Sequence, residues 1–286
     1  MEAADARRAV SAATRTVSSF GLQVDRTDVL NDSNRLVVRL TPCDTVARVT
    51  PVTHFASAEL EVELTDLLLR TDAPVAALDP RIGPQVFVRD GFKITFWAHV
   101  ASTPDPTTLP AADYADALGR LHTGLRQLDV SAPHVLDRIG ATEHDVASPD
   151  VTPELADRDR ELLVGTLREL SRPIVDRHVA EQVLHGEPHP GNVLTTPGGP
   201  LFIDFENAAT GPVEYDLAWA PFEVAARCSY AEDDLLDSCR GIVLAIIATH
   251  RWTLGDRHPS GRRSGWAFLD AVRQGSPWPT LDQVTW

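Results

Sequence analysis

Hydrophobic and polar positions in the first third of the chain follow the pattern of β-strands. Arg35–Leu40 and Thr45–Thr50 are rich in β-branched residues and flank a Pro/Asp turn, which predicts a hairpin. Gln85–Arg89 and Phe92–Val100 predict two more strands, because an Asp-Gly pair of the hairpin-turn type joins them. Between the two hairpins, apolar residues recur every three or four positions over Phe55–Arg70, which predicts an amphipathic helix.

The pattern changes after Ala101–Pro110, a connector rich in Pro and Thr. Helical periodicity dominates beyond it, and a leading helix is also predicted over residues 3–19. The sequence therefore predicts an α+β fold with two lobes. Residues 1–100 form an antiparallel sheet with one main helix, and residues 101–286 are mostly helical; ligands favour such a boundary. The later helices are predicted at Tyr114–Leu128, Thr152–Arg172 (with Pro153 in its first turn), Asp216–Ala226 and Asp233–Thr249.

Composition limits the classes of partner. The net charge of −15 argues against nucleic acid and anionic membranes, since both reward clustered Lys and Arg. No apolar run approaches the roughly 20 residues of a membrane span. The three cysteines have no metal-type spacing and are interpreted as reduced thiols. We therefore expect a cytoplasmic protein, a monomer or homodimer, with no nucleic-acid or membrane partner.

The most informative segment is His185–Asn192, with the sequence His-Gly-Glu-Pro-His-Pro-Gly-Asn. Glu187 stands five residues before Asn192, and Asp204 follows twelve residues later, behind an apolar run typical of a buried strand. Phosphoryl transfer needs such a set, in which one carboxylate accepts the substrate proton while an Asn and an Asp hold Mg²⁺ on the nucleotide phosphates. Glu187, Asn192 and Asp204 are therefore the predicted catalytic residues, and Asn192 and Asp204 the predicted metal ligands.

Three hydrolytic alternatives use the same residue types. A zinc site of the His-Glu-x-x-His kind needs a helix, and Pro188, Pro190 and Gly191 prevent one. A zinc deaminase would require a Pro-Cys-x-x-Cys segment, which the sequence lacks. A glycosidase that uses Glu187 and Asp204 as its acid/base pair is harder to exclude, but it leaves Asn192 and the strand-rich first third unexplained.

Three stretches together resemble the aminoglycoside phosphotransferase family, the small-molecule branch of the protein-kinase-like fold. They are His-Gly-Glu-x-x-x-x-Asn from His185, Ile-Asp-Phe-Glu from Ile203, and Gly-Pro-Val-Glu-Tyr-Asp-Leu-Ala from Gly211. The resemblance spans nearly the whole chain. It implies a two-lobed protein-kinase-like fold and Mg²⁺-dependent transfer of the ATP γ-phosphate to a hydroxyl of a small molecule.

The resemblance also implies roles for residues outside the motif. Arg48 stands where the family commonly has a phosphate-binding Lys, and Glu61 is its implied ion-pair partner, with Glu59 and Glu63 as register alternatives. Asp216 matches the Asp that braces the catalytic loop. The remaining implied nucleotide-binding residues are Ser33 and Asn34 of the phosphate loop, and Trp97, Ala98, His99 and Val100 of the hinge segment whose backbone binds adenine.

The motifs do not identify the acceptor substrate. In the family the helical lobe builds the acceptor site, often with acidic residues that face amino groups. Glu223, Asp233 and Asp234 follow Asp216 and suggest, together with Glu187, a site for an aminoglycoside or another cationic amino-sugar or metabolite. The competing interpretation of the three acidic residues is a solvated helix face with its capping turn. Antibiotic inactivation and metabolite phosphorylation both stay open as biological roles.

A second class of function is a nucleotide-binding pseudokinase with a regulatory role. Its motivation is that Glu187 replaces the usual Asp, Arg48 replaces the usual Lys, and the phosphate loop lacks glycines. A protein kinase is disfavoured, because the short interval from Asp204 to Asp216 has no room for an activation segment and no Ala-Pro-Glu anchor follows.

Overall fold

The computed structural model describes residues 1–32, 35–53, 58–103, 109–176, 179–256, 258 and 260–286. The chain divides into two compact units. The first comprises Met1–Thr108 and Leu194–Asn207, and the second comprises Leu109–Val193 and Ala208–Trp286. The first unit thus includes a segment from far along the chain, whereas the division expected from the sequence, 1–100 and 101–286, has a single boundary.

The first unit is built on an antiparallel five-stranded sheet in the order β1-β2-β3-β5-β4. The predicted β2–β3 hairpin pairs Val37 with Arg48. Two helices accompany the sheet, α1 (Ala3–Ser18) and α2 (Ala58–Leu68). The strands are β1 (Val24–Asp32), β2 (Leu36–Pro42), β3 (Thr45–Pro51), β4 (Phe87–Arg89) and β5 (Phe92–Ala98).

The two faces of this sheet have different chemistry. Leu36, Val38 and Leu40 alternate along β2 and are completely buried in one cluster with the small residues of α1, chiefly alanines. Because successive side chains of a strand point to opposite faces, the intervening positions of β2 and β3 line the other face. That face bears Arg48, which lies over the ring of Trp97. The α1 face therefore holds the larger hydrophobic cluster, and the opposite face combines charged groups with a smaller apolar cluster around Trp97.

A further hairpin, outside the five-stranded sheet, positions the residues around Asp204. It consists of β7 (Val193–Thr196) and β8 (Gly199–Phe202). The Phe202 amide donates to the Pro74 carbonyl at 2.8 Å, and the Phe202 carbonyl accepts from the Ala76 amide at 3.0 Å. Phe202 itself is fully buried. These bonds hold the end of β8 within the first unit, so Asp204 and the following 3₁₀ turn are placed with the sheet.

The second unit is mostly helical. Its β-structure in the described residues includes an antiparallel pair, β6 (Gln182–Leu184) with β9 (Ala209–Gly211), which brackets the catalytic segment along the chain. A Cβ atom at Gly211 would lie 2.8 Å from a methyl carbon of Val135, so glycine permits the close approach of β9 to α4. The helices are α3 (Ala111–Arg126), α4 (Val135–Ala147), α5 (Asp157–Asp176), α6 (Val213–Leu217), α7 (Phe222–Ala225), α8 (Asp233–Trp252) and α9 (Gly261–Gln274).

The α+β class with an N-terminal antiparallel sheet and a helical remainder is confirmed. Several element bounds differ from the sequence prediction. Helix α5 begins at Asp157, so Pro153 lies in a turn before it, and Pro173 lies inside it. The predicted helix at Asp216–Ala226 is two short helices, α6 and α7. Strand β1 and helices α4 and α9 were not predicted. Within the described ranges, no helix has the length and hydropathy of a membrane span.

Candidate active site

The predicted catalytic loop, residues 185–192 and called the catalytic loop below, connects β6 to β7 and is held at its start by Asp216 of α6. The Asp216 carboxylate is fully buried and accepts hydrogen bonds from the backbone amides of His185 (2.9 Å) and Gly186 (2.8 Å). Its Oδ2 also lies 3.1 Å from His122 Nε2 on α3. A buried carboxylate with three such partners is rigid. Asp216 therefore occupies the bracing position that the resemblance implied.

The rest of the loop is held by a bond within the loop and by one from α3. Gly186 has φ of 89°, a left-handed conformation that favours glycine. The Tyr114 hydroxyl donates to the Pro188 carbonyl. The Asn192 side-chain amide donates to the Glu187 carbonyl at 3.0 Å, and this bond closes the loop. The loop is thus bent back on itself, as its prolines and glycines predicted.

Replacing Asp216 with Asn is expected to destabilise the protein and to lower activity. The side-chain NH₂ of the new Asn would face the backbone amide of His185 or Gly186, so two hydrogen-bond donors would meet with no acceptor between them. Leaving a buried donor unsatisfied costs about 1–3 kcal/mol. The control is Asp234→Asn, at an exposed position of α8. Urea unfolding curves of the two variants provide the measurement. Equal midpoints for both variants would remove Asp216 from the support of the loop.

The Glu187 carboxylate forms an ion pair with Arg138 of α4. The guanidinium of Arg138 lies over the Trp219 ring, 5.3 Å from its centre. Burial alone would raise the pKa of the Glu187 carboxyl, but the charge and hydrogen bond of Arg138 outweigh burial and lower this pKa below its ordinary value. Glu187 is therefore ionised at neutral pH and can accept a hydrogen bond from a substrate hydroxyl.

Other ring groups lie near this ion pair in the second unit. Burial and the charge of Arg138 lower the pKa of His250 to about 4, so this imidazole is neutral at physiological pH. His189 is tilted against Trp219 with 6.2 Å between ring centres. Burial raises the pKa of Tyr215 to about 12. The sequence prediction missed Arg138 and His250, because no local motif connects α4 or α8 to the catalytic loop.

In the first unit, Arg48 of β3 forms an ion pair with Glu61 of α2. Both side chains are buried. The two register alternatives on α2 are placed differently. Glu59 pairs with Lys93 at 2.7 Å, and Glu63 is exposed. Arg48 thus has the carboxylate partner that the resemblance named first.

A second buried arginine, Arg35, lies beside Arg48. Its guanidinium lies 2.8 Å from Glu61, 3.1 Å from Asp204, and in contact with Glu206. Burial opposes the charge of Arg35, but these carboxylates raise its pKa above the ordinary value, so it is charged at every relevant pH. The sequence prediction missed Arg35. The sequence pattern that could have identified Arg35 is the alternation of side chains along β2. It puts residue 35 on the same face as Val37, which pairs with Arg48 across the hairpin.

Asp204 is held in place by both arginines. Its Oδ1 lies 3.1 Å from Arg35 and its Oδ2 lies 3.0 Å from Arg48. Its φ of 72° is left-handed, which is uncommon for a residue other than glycine and is often found at functional sites. The next amide, of Phe205, donates to Glu61 at 3.2 Å and fixes the turn.

The donor set fits Mg²⁺ better than Zn²⁺. In the part of the chain that the structure describes, no group of three or more His, Cys, Asp and Glu side chains is arranged to hold a metal ion. Mg²⁺ does not need such a cage, because phosphates and water usually complete its coordination around one or two protein oxygens. Asp204, in the first unit, and Asn192, in the second, each carry a hard oxygen atom, and their joint role as metal ligands stays a prediction.

The other predicted nucleotide residues are placed as follows. In the hinge segment, the Ala98 amide donates to Ala77 at 3.0 Å and the His99 amide donates to Asp44 at 3.2 Å, so these two amides already bond within the protein. Trp97 is buried beneath Arg48, and Val100 follows the end of β5. Ser33 and Asn34 lie outside the described residues.

The acidic residues predicted to bind the acceptor are exposed. Asp233 and Asp234 form the first turn of α8, where the helix dipole favours negative side chains. Glu223 lies in the short helix α7, and its side chain is also exposed. This placement agrees with the capping-turn interpretation, and a role in binding the acceptor stays a prediction.

Three solved structures share the fold of the chain. An amicoumacin kinase in complex with AMP-PNP, Ca²⁺ and Ami matches with a TM-score of 0.69 at 13% identity, over 92% of this chain and 94% of that chain. A microcompartment-associated aminopropanol kinase matches with a TM-score of 0.69 at 16% identity, over 91% and 95%. The choline kinase LicA from Streptococcus pneumoniae matches with a TM-score of 0.64 at 17% identity, over 92% and 96%.

At these identities the likeness shows the fold, and it confirms the prediction of a protein-kinase-like fold. A search of curated proteins finds no match to the sequence. A family model described as the phosphotransferase enzyme family matches residues 26–242, which is more than half of the chain. The chain therefore belongs to the phosphotransferase enzyme family, and the prediction of a small-molecule phosphotransferase is confirmed at that level.

Proposed function

We propose that this protein transfers the γ-phosphate of ATP to a hydroxyl group of a small molecule, with Mg²⁺ as its metal. The observation that supports this most strongly is the catalytic loop, in which Asp216 braces the backbone and Glu187 is ionised. An ionised carboxylate on a rigid loop suits a proton acceptor.

Glu187 is the proposed general base. Phosphoryl transfer passes through a loose transition state, so the main task of such a carboxylate is to orient the attacking hydroxyl and to accept its proton. The ion pair with Arg138 lowers the basicity of Glu187, which favours orientation over early proton removal. The hydrogen bond from Asn192 to the Glu187 carbonyl limits movement of the loop around the base.

Asn192 and Asp204 are the proposed Mg²⁺ ligands, and a bound Mg²⁺ neutralises charge on the transferred phosphate. Arg48 is the proposed phosphate-binding residue, because Glu61 fixes its guanidinium beside Asp204. Ser33, Asn34 and the hinge segment are proposed to complete the nucleotide site. We place the reaction in the cytoplasm, where ATP is abundant and where the three free cysteines stay reduced.

The test is an acceptor screen with ATP and GTP, read as ADP or GDP release and as phosphorylated product by mass spectrometry. The panel contains aminoglycosides, other antibiotics, amino-sugars, hydroxy acids and simple alcohols. Transfer is expected to need Mg²⁺, to stop with EDTA, and to fall at least about 10²-fold in Asp204→Ala. The control is Asp72→Ala, an exposed position of the first unit.

Two results would contradict the proposal. Nucleotide binding without acceptor phosphorylation, equally in wild type and Asp204→Ala, would support the pseudokinase alternative. Transfer that survives Asp204→Ala unchanged would remove Asp204 from the reaction. A screen positive for antibiotics would favour inactivation as the biological role, and one positive for metabolites would favour metabolism.

A further inference from the structure

Arg138 lies beside the proposed base, and its neighbours fix its position. It projects from α4, a helix held in place by the buried residues Val135 and Ile139. The guanidinium is fixed on one side by the Trp219 ring and on the other by Glu187. Its side chain is 19% exposed, as is that of Glu187, so both side chains are partly open to solvent although Nη1 of Arg138 is buried. A pre-positioned guanidinium of this kind is well suited to bind an anion.

The charges around this ion pair give an amine little to bind. His250 of α8 is neutral at physiological pH, and the other charged residues near it, Arg251 and Asp145, are of opposite sign. His189 and Trp219 contribute rings, and Tyr215 is a neutral phenol. Because Arg138 balances the charge of Glu187, the pair presents no net negative charge to an ammonium group, and an ammonium placed against the guanidinium would be repelled.

The acidic residues that suggested a cationic acceptor do not offset this. Asp233 and Asp234 are exposed in the first turn of α8, and Glu223 is exposed on α7. A helix N-terminus explains the first two without any ligand. The local charge at the proposed base is thus the better guide to the acceptor.

We propose that the acceptor is a hydroxy acid and that Arg138 binds its carboxylate next to the hydroxyl that Glu187 orients. This inference rests on the proposed function and deepens it. A single guanidinium beside a carboxylate base matches a monoanion better than a dianionic phosphate, so a carboxylate is the expected anionic group. Arg138 is then a specificity-determining residue that contacts the substrate.

The test uses two sets of acceptors. Within each set the carbon skeleton is the same, and one group is an acid, a neutral alcohol or an amine. Glycerate, glycerol and 3-amino-1,2-propanediol form one set, and glucuronate, glucose and 6-amino-6-deoxyglucose form a second. With ATP and Mg²⁺, kcat/KM for the acid is expected to exceed that for the neutral member about tenfold or more, and the amine is expected to be poorest. Added KCl should reduce this preference if charge causes it.

Arg138→Gln is expected to bring the acid-to-neutral ratio of kcat/KM close to one, and Arg138→Lys to keep part of the preference. The ratio is the informative quantity, because any general loss from disturbing Glu187 affects all acceptors alike. The control is Arg168→Gln, which removes an exposed Arg–Glu pair of the same unit and should leave the ratio unchanged. Nucleotide affinity of each variant checks its folding.

A preference of the wild type for the neutral or amine members overturns the proposal, as does a ratio unaffected by Arg138→Gln. Asp204-dependent transfer to amines without preference for acids would preserve the proposed function and remove only this inference. Absence of both transfer and charge-dependent binding across the two sets, with ATP and Mg²⁺ present, would count against the inference and the proposed function together.

Discussion

Replacing Glu187 with Gln is expected to lower kcat by about 10²–10⁴-fold, the usual contribution of a positioned general base. The substitution removes the charge and the proton-accepting oxygen while it preserves the size of the side chain. Nucleotide affinity is expected to change little, because the backbone carbonyl that Asn192 binds is unaffected. Steady-state kinetics with a saturating acceptor, and nucleotide titration by calorimetry, measure the two quantities separately.

Glu181→Gln is the matched control for this prediction. Glu181 lies six residues earlier, and its ion pair is with His134 at 3.0 Å, so its loss leaves the catalytic loop intact. A Glu187→Gln variant with wild-type kcat would show that the carboxylate does not act on the hydroxyl. A loss of nucleotide affinity equal to the loss of kcat would assign Glu187 to the nucleotide site instead.

Replacing Arg35 with Met is expected to destabilise the protein by about 3–5 kcal/mol, the cost of breaking a buried ion pair from one side. Arg35 and Arg48 together balance part of the charge on Glu61, Asp204 and Glu206. Without Arg35, Glu61 and Asp204 keep only Arg48 of the two arginines, Glu206 loses its ion pair with Arg35, and the like charges of Asp204 and Glu206 are left close together. Urea unfolding measures the loss, and Mg²⁺ should restore part of it if Asp204 binds the metal.

Arg39→Met is the control on the same strand. Its ion pair with Asp44 is exposed, and such pairs contribute about 0–1 kcal/mol. Equal unfolding midpoints for Arg35→Met and Arg39→Met would mean that the buried cluster adds nothing to stability. In that case the positions of Arg35 and Asp204 would have to be explained by function alone.

Local sequence patterns predicted much of the fold, and their failures have physical causes. The β2–β3 hairpin was predicted because its residues alternate and its turn is of a known type. Strand β1 was missed because its sequence is polar and its side chains are largely exposed; its hydrogen bonds to β2, rather than burial, define it. Helix α5 was placed too early because Pro153 was interpreted as a first-turn residue, whereas the turn before Asp157 contains it.

The sequence by itself predicted a phosphoryl-transfer segment, because a carboxylate, a carboxamide and a second carboxylate at close spacing needed no distant partner to be recognised. The family resemblance named Glu61 first as the partner of Arg48, with Glu59 and Glu63 as alternatives, and the structure shows the pair with Glu61. Only the tertiary structure decided that Arg138 meets Glu187, 49 residues away, and that Arg35 meets Glu206, 171 residues away. Such contacts depend on how helices and strands pack, and no local pattern records them.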